Sequence, residues 1–203
     1  KIDSPFIKKD KKNTSNTMDY NMEGSQTIVT EKIIQGTKNI LLNYLDFLEY
    51  VAEHQPVNNN KLYITYNNYS LDQIPESIKV QIFNLFQQLI DQGWSIIFVI
   101  KLDTNVNRII CLIDYLLPLL KTGKINIFYY NKHELFTTER EIFIATGVAT
   151  LTCFPSKANS FVDQAFYLRH TEAVNIFSTY MNIIMENHTQ QILEYCQNRM
   201  NNS

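Results

Sequence analysis

The near-continuous apolar run Trp94-Ser-Ile-Ile-Phe-Val-Ile100 does most to limit what this chain can become. A strand with one face in water alternates apolar and polar residues, and this run does not alternate. It reads instead as an interior strand covered on both faces. Its flanks agree with that reading. Lys61-Leu-Tyr-Ile-Thr-Tyr66 is a β-rich run before it, and Lys124-Ile-Asn-Ile-Phe-Tyr-Tyr130 is one after it. Between the first two, Pro75 and Glu76 open a helix whose stripe includes Ile78, Ile82, Leu85, Phe86 and Leu89, and Gly93 ends it. Between the second and third, a helix runs from about Val106 to Lys121 with Gly123 as its cap, and Pro118 predicts a kink or an early end. The order β-α-β-α-β predicts parallel strands with right-handed crossovers.

The next segment narrows the choice. Glu141 to Ala145 and Val148 to Phe154 are β-rich runs around a tight Thr146-Gly147 turn, which predicts an antiparallel pair added to the parallel sheet. Gln164-Ala-Phe-Tyr-Leu-Arg169 can add another strand. Long amphipathic helices are expected at both ends. One spans about Thr30 to His54, with Ile33, Thr37, Ile40, Leu41, Tyr44, Leu48 and Val51 in register, and Pro56 with the Asn58 to Asn60 run ends it. The other spans about Thr171 to Gln197, with Val174, Phe177, Met181, Ile184, Met185, His188, Ile192 and Cys196 as its stripe. The predicted class is α/β: a mixed, mostly parallel sheet flanked by helices, with long N- and C-terminal helices.

With 203 residues, 45% of them hydrophobic, the chain can bury one sizeable core, which predicts a single domain over residues 28–203. Residues 1–27 are polar and charged without an apolar period and read as a linker from an upstream module; Lys8, Lys9, Lys11 and Lys12 form its charge run. A net charge of −2 lacks the basic balance of a DNA-binding domain, so DNA is expected to be reached only through a module outside this sequence. No segment resembles a signal peptide or a bilayer span, and Cys111, Cys153 and Cys196 have no metal-ligand spacing. The expectation is a cytoplasmic chain with free thiols, no cofactor, no metal and no membrane partner.

From Lys61 to Glu186 the order of elements resembles one half of a phospholipase D-like domain: Gln92-Gly-Trp-Ser-Ile-Ile-Phe entering a strand, Gly-Lys-Ile-Asn-Ile-Phe-Tyr-Tyr130 forming the next, the Gly147 hairpin, and Thr171-Glu-Ala-Val-Asn-Ile-Phe opening the last helix. The resemblance implies a strand carrying His-x-Lys-x4-Asp before the Gly turn. Here Glu139 stands at the His, Glu141 at the Lys and Thr146 at the Asp. A carboxylate pair facing a phosphodiester meets like charge with no cation to offset it, so a non-catalytic relative is expected. Leu116 to Tyr130 also resembles the effector region of some Gram-positive helix-turn-helix transcription regulators, which implies a signal-sensing, homodimeric domain.

Polar residues collect at the carboxyl ends of the predicted strands, where open α/β sheets hold their ligands. Tyr66, Lys101, Asp103, Tyr130, His133 and Glu139 are the candidate binding residues for an unknown small-molecule effector. Ordinary polar loop chemistry accounts for the same composition. Glu139 and Glu141 share one strand face as solvated or arginine-paired carboxylates, with Arg140 on the other. His54 suits a helix C-terminus, and His170 and His188 read as a cap and a packed ring. Two other functions stay open: an atypical phosphodiesterase using Glu139 or a histidine, and an interaction domain without a ligand. The His-x-Lys-x4-Asp pattern is absent from the chain, as are G-x-G-x-x-G and G-x4-G-K-[ST], which weighs against an enzyme.

Overall fold

The structure, a computed structural model, describes residues 31–57, 60–67, 71–102, 106–130, 140–156 and 162–192. Its elements run β1 (Glu31–Gln35), α1 (Thr37–Ala52), β2 (Lys61–Tyr66), a 3-10 turn (Leu71–Gln73), α2 (Glu76–Asp91), β3 (Ser95–Lys101), α3 (Val106–Leu120), β4 (Ile125–Tyr130), β5 (Glu141–Ala145), β6 (Ala149–Phe154), β7 (Gln164–Leu168), α4 (Thr171–His188) and β8 (Thr189–Gln191). All eight strands join one sheet in the order β1-β7-β6-β5-β2-β3-β4-β8. Pairing is parallel across β2-β3-β4 and antiparallel elsewhere. The mixed α/β sheet expected from the sequence is present.

Strand β3 sits inside the parallel part, with residues 96–100 buried on both faces. Ile96, Phe98 and Ile100 join the core beneath α1, α2 and α3, while Ile97 and Val99 face the core beneath α4. The helices start and stop where local chemistry dictates. Pro75 caps α2, whose first turn holds Glu76. Gly36, Gly93, Gly123 and Gly147 all take positive φ, and at Gly147, with φ 76°, this helps close the turn of residues 146–148 between β5 and β6. Helix α3 runs through Pro118 to Leu120, within a residue of the end expected at Lys121, so the proline does not cut it short.

Antiparallel pairing takes more of the sheet's width than the sequence predicts, because both terminal helices are shorter than their apolar periods imply. Where the sequence predicts the first helix, Glu31–Gln35 forms strand β1 instead. It pairs with β7 in the register Ile33↔Phe166, and Gly36, with φ 91°, separates it from α1. Ile33, assigned to the helix stripe by spacing, points away from α1 and is 77% exposed. At the other end α4 stops at His188, and Thr189–Gln191 lies along β4. This short polar strand shields the β4 edge, with Tyr129 Oη donating to Gln190 Oε1 at 2.6 Å and Gln191 Nε2 to Asn126 Oδ1 at 3.1 Å. Neither segment carries a strand period of its own; each takes strand geometry from an open sheet edge. The proposed linker, residues 1–27, and Cys196 lie outside the described residues.

Phe47 is fully buried and stacks edge-on to Tyr167 at 6.0 Å, so Phe47→Ala should cost about 3–5 kcal/mol in chemical denaturation. Ile33→Ala, on an open surface, should stay within ~0.5 kcal/mol of the parent.

Candidate functional site

The parallel and antiparallel halves of the sheet meet at β2 and β5, paired through Leu62↔Ala145, Tyr63↔Ile144 and Ile64↔Phe143. Beyond Ile64 the backbone ladder gives way to side chains. Thr65 Oγ1 accepts from Ile142 N at 2.7 Å and donates to Glu141 Oε2 at 2.9 Å. The other carboxylate oxygen, Oε1, accepts from Asn67 N at 2.7 Å, and Asn67 Nδ2 donates to Arg140 O at 2.9 Å. Asn67 Oδ1 in turn accepts from Tyr130 Oη at 3.0 Å. Glu141 is 0% exposed. The solvated or arginine-paired glutamate expected from the sequence is therefore a buried group that ties β5 to the end of β2. A carboxylate taken from water must recover its hydrogen bonds, and both of its oxygens do so.

Arg108 of α3 is the other buried charge among the described residues. Its Nη1 donates to Tyr66 O at 2.7 Å and its Nη2 to Lys101 O at 3.1 Å, so one guanidinium fork serves the last carbonyls of β2 and β3. The same group lies 4.9 Å from the centre of the Tyr66 ring. Burial pushes the Tyr66 hydroxyl from 10.0 up to about 12, with the hydrogen bond from Leu71 N and the Arg108 charge opposing the rise. Burial also raises the Cys153 thiol, and nearby Glu141 adds to the effect. Among the described residues no group of three or more His, Cys, Asp or Glu could hold a metal ion.

The candidate residues divide between the two faces of the sheet. Lys101 and Tyr130 are register partners on adjacent parallel strands, as a shared strand-end site requires. Tyr130 belongs to the core beneath α4, whereas Tyr66 belongs to the core beneath α1, α2 and α3. Asp103, His133 and Glu139 lie outside the described residues. His54 Nδ1 lies 2.7 Å from Tyr50 O and serves a carbonyl in the last turn of α1, the helix-end role expected of it. His170 precedes α4 and sits 2.9 Å from Glu172, with both side chains exposed.

Sequence reasoning missed a second feature, an apolar cavity of about 60 Å³ beneath the three-helix face. Ile64, Phe98 and Phe143 of the sheet form its floor, and Ile82, Phe86 and Leu112 wall it. The half-buried Leu41 and Tyr44 of α1, Ile74 before α2 and Tyr115 of α3 form the rim. Its polar groups are largely engaged. Tyr115 Oη donates to Lys79 O at 2.6 Å, Tyr66 Oη accepts from Leu71 N at 3.3 Å, and the Thr65 hydroxyl is held by Glu141 and Ile142. Of the lining residues only Tyr66 is a candidate from the sequence, and there as part of a strand-end site, so no local signal marks the space they leave.

No family model and no curated protein matches the sequence. Solved structures do. TrmBL2, an archaeal chromatin protein described with a novel mode of DNA binding, superposes with a TM-score of 0.52 at 15% identity, over 82% of this chain and 56% of that one. A phosphatidylserine synthase from Haemophilus influenzae Rd KW20 gives a TM-score of 0.47 at 8% identity, over 80% and 39% of the two chains. TrmBL2 thus shares the fold, and this chain spans a little over half its length.

Arg108→Met removes the donors from two strand-end carbonyls and should lower stability by about 1–3 kcal/mol for each one left unpaired, measured by urea unfolding. Alkaline titration supplies a second check. The unfolded chain ionises Tyr66 near its ordinary 10.0 and the native state near 12, so stability is complete below the lower value and falls as pH rises between the two. Tyr66→Phe should flatten that part of the stability curve.

Proposed function

We propose that this domain is a non-catalytic, signal-sensing and self-associating module of a transcription regulator, with DNA held by a module outside this sequence. The observation that carries the reading is Glu141. At the position where a phospholipase D-like enzyme places its phosphate-binding lysine, this chain has a carboxylate that is 0% exposed and bonded to Thr65 and Asn67 N. An anion fixed there repels a phosphodiester and cannot swing out to act as a nucleophile without breaking the seam between the sheet halves. The fold shared with a DNA-binding chromatin protein supports a regulatory setting.

Self-association draws support from the outer face of α4. Ile176, Tyr180 and Ile183 fall on one helical stripe and are 68%, 38% and 51% exposed. Over its 18 residues the helix carries no Lys or Arg, and Glu172 and Glu186 stand near its ends. An apolar stripe without central charge is the composition of a protein interface rather than of a solvated helix face. A two-fold axis across α4 buries both copies of the stripe.

Two measurements test the proposal. Sedimentation velocity at micromolar concentration should show a dimer, and Ile176→Lys with Ile183→Lys should give a monomer with an unchanged circular dichroism spectrum; a parent chain that stays monomeric rejects self-association. The purified chain should not hydrolyse bis(p-nitrophenyl) phosphate, and turnover that Glu139→Gln abolishes would restore the enzymatic reading.

A further inference from the structure

We infer that the cavity between α1, α2, α3 and the sheet is a binding site for a small, uncharged, apolar ligand such as an aromatic ring or a short branched acyl group. Resting on the sensing role proposed above, it moves the site from the polar strand ends to the three-helix face and names the ligand's chemistry. Its volume of about 60 Å³ is several times the roughly 10–15 Å³ that one water needs. Ordered waters there would need two to four polar partners each, and the lining has few to give. Thr65 and Tyr115 already spend their hydroxyl protons within the protein. Tyr66 Oη accepts from Leu71 N and, held at about 12, keeps its own proton at neutral pH. Apolar walls favour an apolar guest. A charged ligand would lose its hydration without finding a counter-charge.

The setting makes occupancy consequential. The rim is shared by α1, the segment before α2, and α3, so a guest joins elements far apart in the chain. The floor includes Phe143, two residues beyond Glu141 on β5, and the wall includes Tyr66, whose carbonyl Arg108 holds. A ligand seated here therefore packs directly against the strand-end network that joins the two halves of the sheet.

The test is a thermal-shift series on the full chain with benzene, toluene and indole, alongside glucose and inorganic phosphate. The aromatic probes should raise Tm by several degrees, and the polar probes should not. Leu112→Phe fills the cavity from α3, and Ile74→Trp closes the half-exposed rim with less risk to the core; circular dichroism identifies which variants fold. The aromatic shift should vanish in the folded variants. The proposal is overturned if no aromatic probe shifts Tm, if the shift persists undiminished in a folded variant, or if only glucose or phosphate stabilises the chain. Sedimentation of the same samples separates the two readings. Binding by a chain that is monomeric with and without probe keeps the site and rejects the dimer, while a dimer that binds no probe does the reverse.

Discussion

Everything in this fold depends on the join between β2 and β5. The parallel strands β2, β3 and β4, with β8 at their edge, and the antiparallel strands β1, β7, β6 and β5 are distinct half-sheets, and they are held together by a ladder of only three residue pairs. Side chains extend the ladder at both ends. At one, Thr146 N and Lys61 O bond at 3.0 Å, while Lys61 N donates to Thr146 Oγ1 at 2.9 Å. At the other, Glu141, Thr65 and Asn67 replace backbone pairing as the strands part. A buried carboxylate is a costly way to close a sheet, since it is stable only while each oxygen keeps a donor. It also fixes the register, because a one-residue slip of β5 would turn Glu141 toward α4 and take Ile142 and Ile144 out of the core there.

The two faces built on this join have different characters. Three helices cover one face and leave a cavity rimmed by α1, the segment before α2, and α3. One helix covers the other, packing Met181 onto Tyr63, Ile97 and Val99 while turning Ile176 and Ile183 outward. That face is also open near the β1 edge, where Phe166 is 45% exposed and meets Phe154 edge-on at 5.7 Å. The continuous sheet, tied at its centre by Glu141, lies between these two faces.

Much of this was legible in the residues. The interior strand over Ser95–Lys101, helix α2 opening after Pro75 and the hairpin at Gly147 were readable because each has a local cause: unbroken apolarity, a fixed proline φ, a glycine free to take positive φ. Strands β1 and β8 were not readable. Glu31–Gln35 continues an apolar spacing that fits a helix, and Thr189–Gln191 is wholly polar, so only the unpaired edges of β7 and β4 make them strands. The candidate site was legible in part, as Lys101 and Tyr130 do arrive side by side at the ends of β3 and β4.

The sequence alone determined the order of elements from β2 to β7, the α/β class and the absence of a His-x-Lys-x4-Asp pattern, since each follows from residues close together in the chain. Tertiary structure decided the rest. Whether Glu141 is solvated or buried depends on Thr65 and Asn67, more than seventy residues away. Whether Tyr66 and Tyr130 share a pocket depends on strand parity and on which helices cover each face, and here they do not. The cavity is the space left among side chains of three helices, the 3-10 turn and strands β2, β3 and β5, and no single segment carries the record of a gap that only their packing creates.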